Sequence, residues 1–297
     1  MARLTANGLE IEYDIHGDAG AEPLLLIMGL GAQMTRWSPE FIRGLTERGF
    51  RVIRYDNRDI GLSDKIEAAG APDLSAIFGA LAAGQPAAVA YTLNDMANDA
   101  AGVLDALEIE SAHIVGASMG GMIAQLVATN HAPRTRSLTS IMSTTGHPDL
   151  PRATPEAMAR LTTPAPNPAD DLEAYVAHFI ASARVIGSPD HQQTEEQMRQ
   201  EAIANVERAY YPMGFMRQYA AIAASPHRRD LLATVTAPTT VIHGVADPLV
   251  PVEGGRDTAA SIPGAVLVEI QGMGHDIPAA LYAPVWDAIS AVAARAR

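Results

Sequence analysis

Ser118, Asp247 and His275 are the side chains in this 297-residue sequence whose types and settings fit nucleophilic acyl transfer. Ser118 lies in VGASMGG, between the apolar runs HIVG and MIAQLVA. A Gly-x-Ser-x-Gly pattern alone is weak, with about 0.08 chance matches in a chain of this glycine and serine content. The setting strengthens it, because a strand, a sharp turn and a helix together lift a serine Oγ to the carboxyl edge of a sheet, where ligands bind. The competing reading is a small serine that only caps a helix. A serine hydroxyl is a poor nucleophile until a base takes its proton. His275, in QGMGHDIP, follows one apolar run, and Asp247, in HGVADPLVP, follows another and is placed to orient the imidazole and stabilise its charged form. His243 ends a strand near the same edge and is the rival base, although its place four residues before Asp247 suits bracing the acid's turn. His113 begins the strand leading to Ser118 and lies toward the opposite edge.

The oxyanion formed on carbonyl attack needs hydrogen-bond donors. The backbone N–H of Met119, which opens the helix after the serine, is one candidate. The other is the N–H of Leu30, in the Gly29-Leu30-Gly31 loop after LLLIMG. A glycine-rich loop after a strand can also cradle phosphate, but the spacings GxxxxGK[ST] and GxGxxG are both missing. Trp37 and the Met119 side chain fall near this pocket and are expected as substrate contacts, with core packing as the competing role. Nothing in the pattern asks for a metal or a cofactor.

These groups need a sheet to hold them. RLTANGLEIEYDI opens the chain with two alternating segments about Asn7-Gly8, the signature of a hairpin with a type I′ turn. LLLIMG from Leu24, RVIRYD from Arg51, AHIVGAS from Ala112, SLTSIM from Ser137, TTVIHG from Thr239 and AVLVEI from Ala265 read as strands buried on both faces. Helical periodicity runs from Leu93 to Leu107 behind a Thr92/Asp95 capping box. Alternating strands and helices predict a mostly parallel central sheet with helices on both faces. The alternation lapses between residues 146 and 230, where prolines precede helix-like stretches, one carrying Leu172, Tyr175, Val176, Phe179 and Ile180, another Tyr210, Tyr211, Phe215 and Tyr219. The expected organisation is therefore a core over 1–145 and 231–297 with a helical lid over 146–230. Residues 66–90, rich in Ala and Gly, are expected to border the same mouth.

Twenty-one basic against thirty-four acidic side chains give a formal charge of −13, which repels phosphate backbones and argues against a nucleic-acid partner. The absence of cysteine excludes disulfides, thiolate metal sites and cysteine nucleophiles. No signal-like segment or run of about 18 apolar residues occurs, so no membrane span is expected and a cytoplasmic location is. A small-molecule ester is the expected partner, and a homo-oligomer is left open.

GASMGG, DNRDIGLSD, GVADPLVP and GMGH, in the order serine, aspartate, histidine, resemble the α/β-hydrolase superfamily from the N-terminal hairpin to the last helix. IMGLG, RYDNRDIGLSDK and YTLNDMANDAAGVLDALEI resemble more narrowly the bacterial serine esterases similar to aclacinomycin methylesterase. The resemblance implies the α/β-hydrolase fold with a helical lid insertion. It also implies hydrolysis of a carboxylic ester through an acyl-enzyme, and the negative net charge together with the apolar insertion, Trp37 and Met119 favours a neutral, partly apolar small molecule as the substrate. Lactone or C–C bond hydrolysis and cofactor-free perhydrolysis use the same serine and stay open, as does a non-catalytic receptor on this scaffold. Met28 is a departure: many relatives carry histidine there, and a thioether cannot replace imidazole hydrogen bonds. Asp56-Asn57-Arg58-Asp59 resembles the family's structural loop and is expected to brace the mouth by charge pairing. Ser143 and Thr144 leave the alternative acid position of some relatives without a carboxylate.

Overall fold

The computed structural model describes residues 2–296. Strands β1 (Ala2–Ala6) and β2 (Leu9–His16) pair antiparallel. Between them Asn7 and Gly8 have φ of 49° and 78°, the two positive values that a type I′ turn requires. Strands β3 (Glu22–Ile27), β4 (Phe50–Tyr55), β5 (Ala112–Ala117), β6 (Thr135–Ile141), β7 (Thr239–Gly244) and β8 (Val266–Ile270) complete one sheet in the order β1-β2-β4-β3-β5-β6-β7-β8. From β4 to β8 every neighbouring pair is parallel, so the carboxyl ends of β5, β7 and β8 lie along one edge.

The helices are α1 (Pro39–Thr46), α2 (Leu74–Ala82), α3 (Leu93–Ala106), α4 (Met119–Asn130), α5 (Pro155–Thr162), α6 (Leu172–Ile186), α7 (Glu195–Arg208), α8 (Pro212–Ala224), α9 (Arg229–Leu232), α10 (Val252–Ser261) and α11 (Tyr282–Ala294). Period-two alternation divides the strands between two cores. Leu25, Ile27, Ile114 and Leu138 pack with α3 and α4, whereas Leu24, Leu26, Val115, Ile141 and Ile242 pack with Phe41 and Leu45 of α1 and Val285 and Ile289 of α11. The capping box at α3 forms as expected: the Thr92 hydroxyl accepts from Asp95 N–H at 3.3 Å, and Asp95 accepts from Thr92 N–H at 2.7 Å.

Two expectations need correcting. AVLVEI is a strand, but as the last one in the sheet β8 has a single neighbour, and Val266 is 47% exposed rather than buried. Tyr210 and Tyr211 do not share a helix face with Phe215 and Tyr219, because Pro212 begins α8 and, lacking an N–H, suits a first helical position.

Between β6 and β7 the described chain is helical, and in α6 and α7 Val176, Ile180, Met198 and Ala202 form a small core of their own. The 66–90 segment contributes α2, whose Phe78 meets Tyr219 of α8 edge-on at 6.2 Å. Among the described residues no helix is long and apolar enough to cross a membrane.

Candidate active site

Ser118 sits between β5 and α4 with φ 55° and ψ −121°, a conformation that L-residues rarely adopt and that costs on the order of 1–3 kcal/mol. Flanking glycines permit the turn. A Cβ on Gly116 would come within 2.0 Å of the Gly120 carbonyl oxygen, and one on Gly120 within 2.1 Å of that of Ile27, so helix and strands approach too closely for any side chain there. The Ser118 N–H donates to the Ile141 carbonyl at 2.9 Å, which ties the turn to β6.

His275 comes from the loop after β8 and Asp247 from the loop after β7. Their side chains join Ser118 in one hydrogen-bonded path: His275 Nε2 to Ser118 Oγ at 2.9 Å, His275 Nδ1 to Asp247 Oδ2 at 2.7 Å. Asp247 accepts on its other oxygen from the N–H groups of Leu249 and Val250, each at 2.9 Å. A carboxylate held this way selects the imidazole tautomer with the proton on Nδ1 and leaves Nε2 to accept from the serine hydroxyl. The rival, His243, is fully buried, and its Nε2–H donates to the Val250 carbonyl at 2.8 Å. It braces the turn that carries Asp247. Burial pushes its pKa below the ordinary imidazole value, outweighing the Val250 carbonyl and the Asp247 charge, which act the other way.

The Gly29-Leu30-Gly31 loop passes directly beside the serine: a Cβ on Gly29 would lie 3.1 Å from Ser118 Cβ and 3.7 Å from Oγ. Among the described residues neither the Leu30 nor the Met119 N–H donates to a protein acceptor. Met119 owes this to its place in the first turn of α4, where amides have no intrahelical partner. The side chains expected to touch substrate are placed differently. Trp37 and Met119 are 2% and 0% exposed, Trp37 stacked on Phe41 at 5.1 Å and Met119 in the α3–α4 core, so neither forms an open wall.

The Asp56–Asp59 loop is joined to three helices through buried pairs. Arg58 makes two 2.6 Å bonds to Asp99 on α3, Asp59 two 2.8 Å bonds to Arg217 on α8, and Asp56 meets Arg208 on α7 at 2.7 Å. Burial pushes the Asp59 carboxyl up, but the Arg217 bonds and the Ile66 N–H outweigh it and hold it below the usual carboxylate range. Among the described residues no cluster of three or more His, Cys, Asp or Glu side chains is arranged to hold a metal ion.

A family model described as alpha/beta hydrolase fold matches residues 22–278. The chain belongs to that family. Rhodomycin D methylesterase DauP of Streptomyces sp. strain C5 is 31% identical, covering 93% of this chain and 92% of its own. Rhodomycin D methylesterase DnrP of Streptomyces peucetius is 30% identical over the same shares. These relatives bear out the narrower resemblance to bacterial methylesterases. A meta-cleavage product hydrolase from Pseudomonas fluorescens IP01 superimposes with a TM-score of 0.78 at 20% identity, covering 100% of this chain and 98% of its own, and shares the fold.

Three residues of this α/β-hydrolase chain hold the loops around the serine, and two of them, Gln218 and Ser188, sequence reasoning missed. Asn57 Nδ2 donates to the Met28 carbonyl at 2.9 Å. Gln218 of α8 accepts from Gly31 N–H at 2.9 Å. Ser188, just past α6, donates to Asp276 at 2.5 Å and accepts from Gly274 N–H at 2.9 Å, while His275 N–H donates to the Ile186 carbonyl at 2.7 Å. Of the three, only Asn57 carried a sequence signal, its place in DNRDIGLSD.

Proposed function

We propose that this protein is a carboxylic ester hydrolase that cleaves a small alkyl ester, such as a methyl ester, of a neutral, partly apolar molecule through an acyl-enzyme on Ser118. The observation that carries the reading is the continuous path Asp247–His275–Ser118, ending at a half-buried hydroxyl on a strained turn. In the reaction His275 Nε2 takes the hydroxyl proton as Ser118 Oγ attacks the ester carbonyl, and the oxyanion is received by the Leu30 and Met119 amides. Collapse expels the alcohol, which leaves with the proton from His275. Water, deprotonated by the same nitrogen, then attacks the acyl-enzyme and releases the acid and Ser118. Asp247 keeps its charge throughout and stabilises the imidazolium.

Rhodomycin D methylesterases at 31% and 30% identity support the methyl-ester assignment. The hydrogen bond from Ser118 Oγ to a His275 that is itself held by Asp247 supports chemistry over a receptor that performs none. The test combines labelling of Ser118 by a fluorophosphonate with two panels, methyl esters and p-nitrophenyl esters of increasing acyl length. Labelling and methyl-ester turnover are expected. A folded protein with no adduct on Ser118 would be a receptor, and labelling with turnover confined to lactones or diketones would move the reading to those substrates.

A further inference from the structure

One of the links between the lid and the loops around Ser118 is a buried amide. Gln218 is 0% exposed; its Oε1 accepts from Gly31 N–H at 2.9 Å and its Nε2 donates to the Arg58 carbonyl at 2.9 Å. Gly29 to Ala32 closes as a β-turn, with Ala32 N–H donating to the Gly29 carbonyl at 3.3 Å and Gly31 third in the turn at φ 68°. A left-handed third residue distinguishes a type II from a type I turn, and the two differ by a flip of the central peptide, here Leu30–Gly31. Glycine sets no side-chain barrier to that flip. By accepting from the N–H of this peptide, Gln218 selects one of its two orientations. The Gly31 and Ala32 amides are then both occupied, which leaves Leu30 as the free donor beside Ser118. One turn before Gln218, Phe215 fills the space a Gly31 side chain would need, and the adjacent Arg217 anchors α8 to Asp59.

We propose that Gln218 is a positioning residue that holds the oxyanion loop in its reactive arrangement and makes that arrangement conditional on the lid being seated on the Asp59 loop. It rests on the reading of Ser118 as nucleophile. When α8 lifts, Gln218 leaves with it, the Gly31 N–H loses its acceptor, and the loop that carries the Leu30 N–H loses its tether to α8; the arrangement re-forms when α8 is seated again.

The experiment measures kcat, KM and the rate of fluorophosphonate labelling in Gln218→Leu, Gln218→Glu and Ala221→Gly. Gln218→Leu removes both bonds at similar volume and is expected to lower kcat and labelling by about 10²-fold, with KM within about threefold. Gln218→Glu keeps an acceptor for Gly31 N–H and should recover at least about tenfold of that loss. Ala221→Gly weakens the same helix without touching the loop and should keep kcat. If Gln218→Leu does not fold, Gln218→Asn, one methylene too short to span both partners, is read in the same way. A folded variant with kcat near that of wild type, or an equal loss in Ala221→Gly, overturns the proposal alone. A wild type that neither turns over ester nor labels at Ser118 overturns the nucleophile assignment and this proposal with it.

Discussion

Asn57 donates from Nδ2 to the carbonyl of Met28 at 2.9 Å, so a side-chain amide from the loop after β4 holds the start of the Gly29-Leu30-Gly31 loop beside Ser118. Both groups are buried, and Asn57→Leu leaves the Met28 carbonyl without a partner. The expected cost is about 1–3 kcal/mol of stability together with a fall in kcat larger than any change in KM. Urea melts and steady-state kinetics check it. Unchanged kinetics in a destabilised variant would mean that Gln218 and the turn hold the loop unaided.

The strain at Ser118 and its chemistry are separable by substitution. Ser118→Gly removes the hydroxyl and relieves a φ of 55°, so it should abolish turnover while raising stability by up to about 1–3 kcal/mol. Ser118→Ala should abolish turnover with no such gain. Thermal melts of both against wild type decide it, and a Gly variant no more stable than the Ala variant would place the strain elsewhere.

Asp247→Asn keeps the shape of the acid's turn but lets the imidazole adopt the wrong tautomer, with a loss on the order of 10⁴ in kcat expected by analogy with other triads. His275→Ala should abolish turnover and slow labelling of Ser118. If His275→Ala stayed active while a folded His243→Ala was dead, the base would have to be reassigned.

His243 instead should govern part of the pH dependence of stability. Its folded pKa is lowered by burial, so as the pH falls below about 6.5 the unfolded chain binds a proton that the folded one refuses. Its contribution is therefore complete above that pH and is lost on acidification. Urea melts across pH 8 to 5 should show a shallower decline in His243→Gln than in wild type. Parallel curves would assign the acid sensitivity to other groups.

Ser188→Ala cuts the staple between the end of α6 and the histidine loop, where Ser188 bonds both Asp276 and Gly274. A displaced His275 should lower the single-turnover acylation rate roughly ten- to hundredfold. A lower melting temperature with an unchanged acylation rate would reduce Ser188 to a purely structural role.

The elbow and the hairpin were legible because their causes are local. Gly116 and Gly120 flank Ser118 within one turn of chain, and Asn7-Gly8 carries its own φ preference. That His275 and not His243 reaches Ser118 was legible from the loops, since His243 ends β7 directly whereas His275 follows β8 at a distance. Gln218 was not, because its partner Gly31 lies 187 residues away and a lone glutamine in an amphipathic helix has no periodic or compositional mark. Trp37 presents the opposite case. Proximity to the oxyanion loop in sequence does not say which face of the loop a ring takes, and here it turns down onto Phe41.

The lid leaves from the end of β6 and returns at β7, and these strands are hydrogen-bonded neighbours from Leu138↔Thr239 to Ile141↔Ile242. An excursion that starts and finishes on adjacent rungs of one ladder is a cassette: it can be exchanged between members of the family without re-registering the sheet. Here the cassette is not inert, since Gln218 and Ser188 carry the contacts that set the oxyanion and histidine loops. A chimera that swaps 146–230 therefore also replaces the contacts that Gln218 and Ser188 make with the loops beside Ser118, unless those two side chains are restored at the seam.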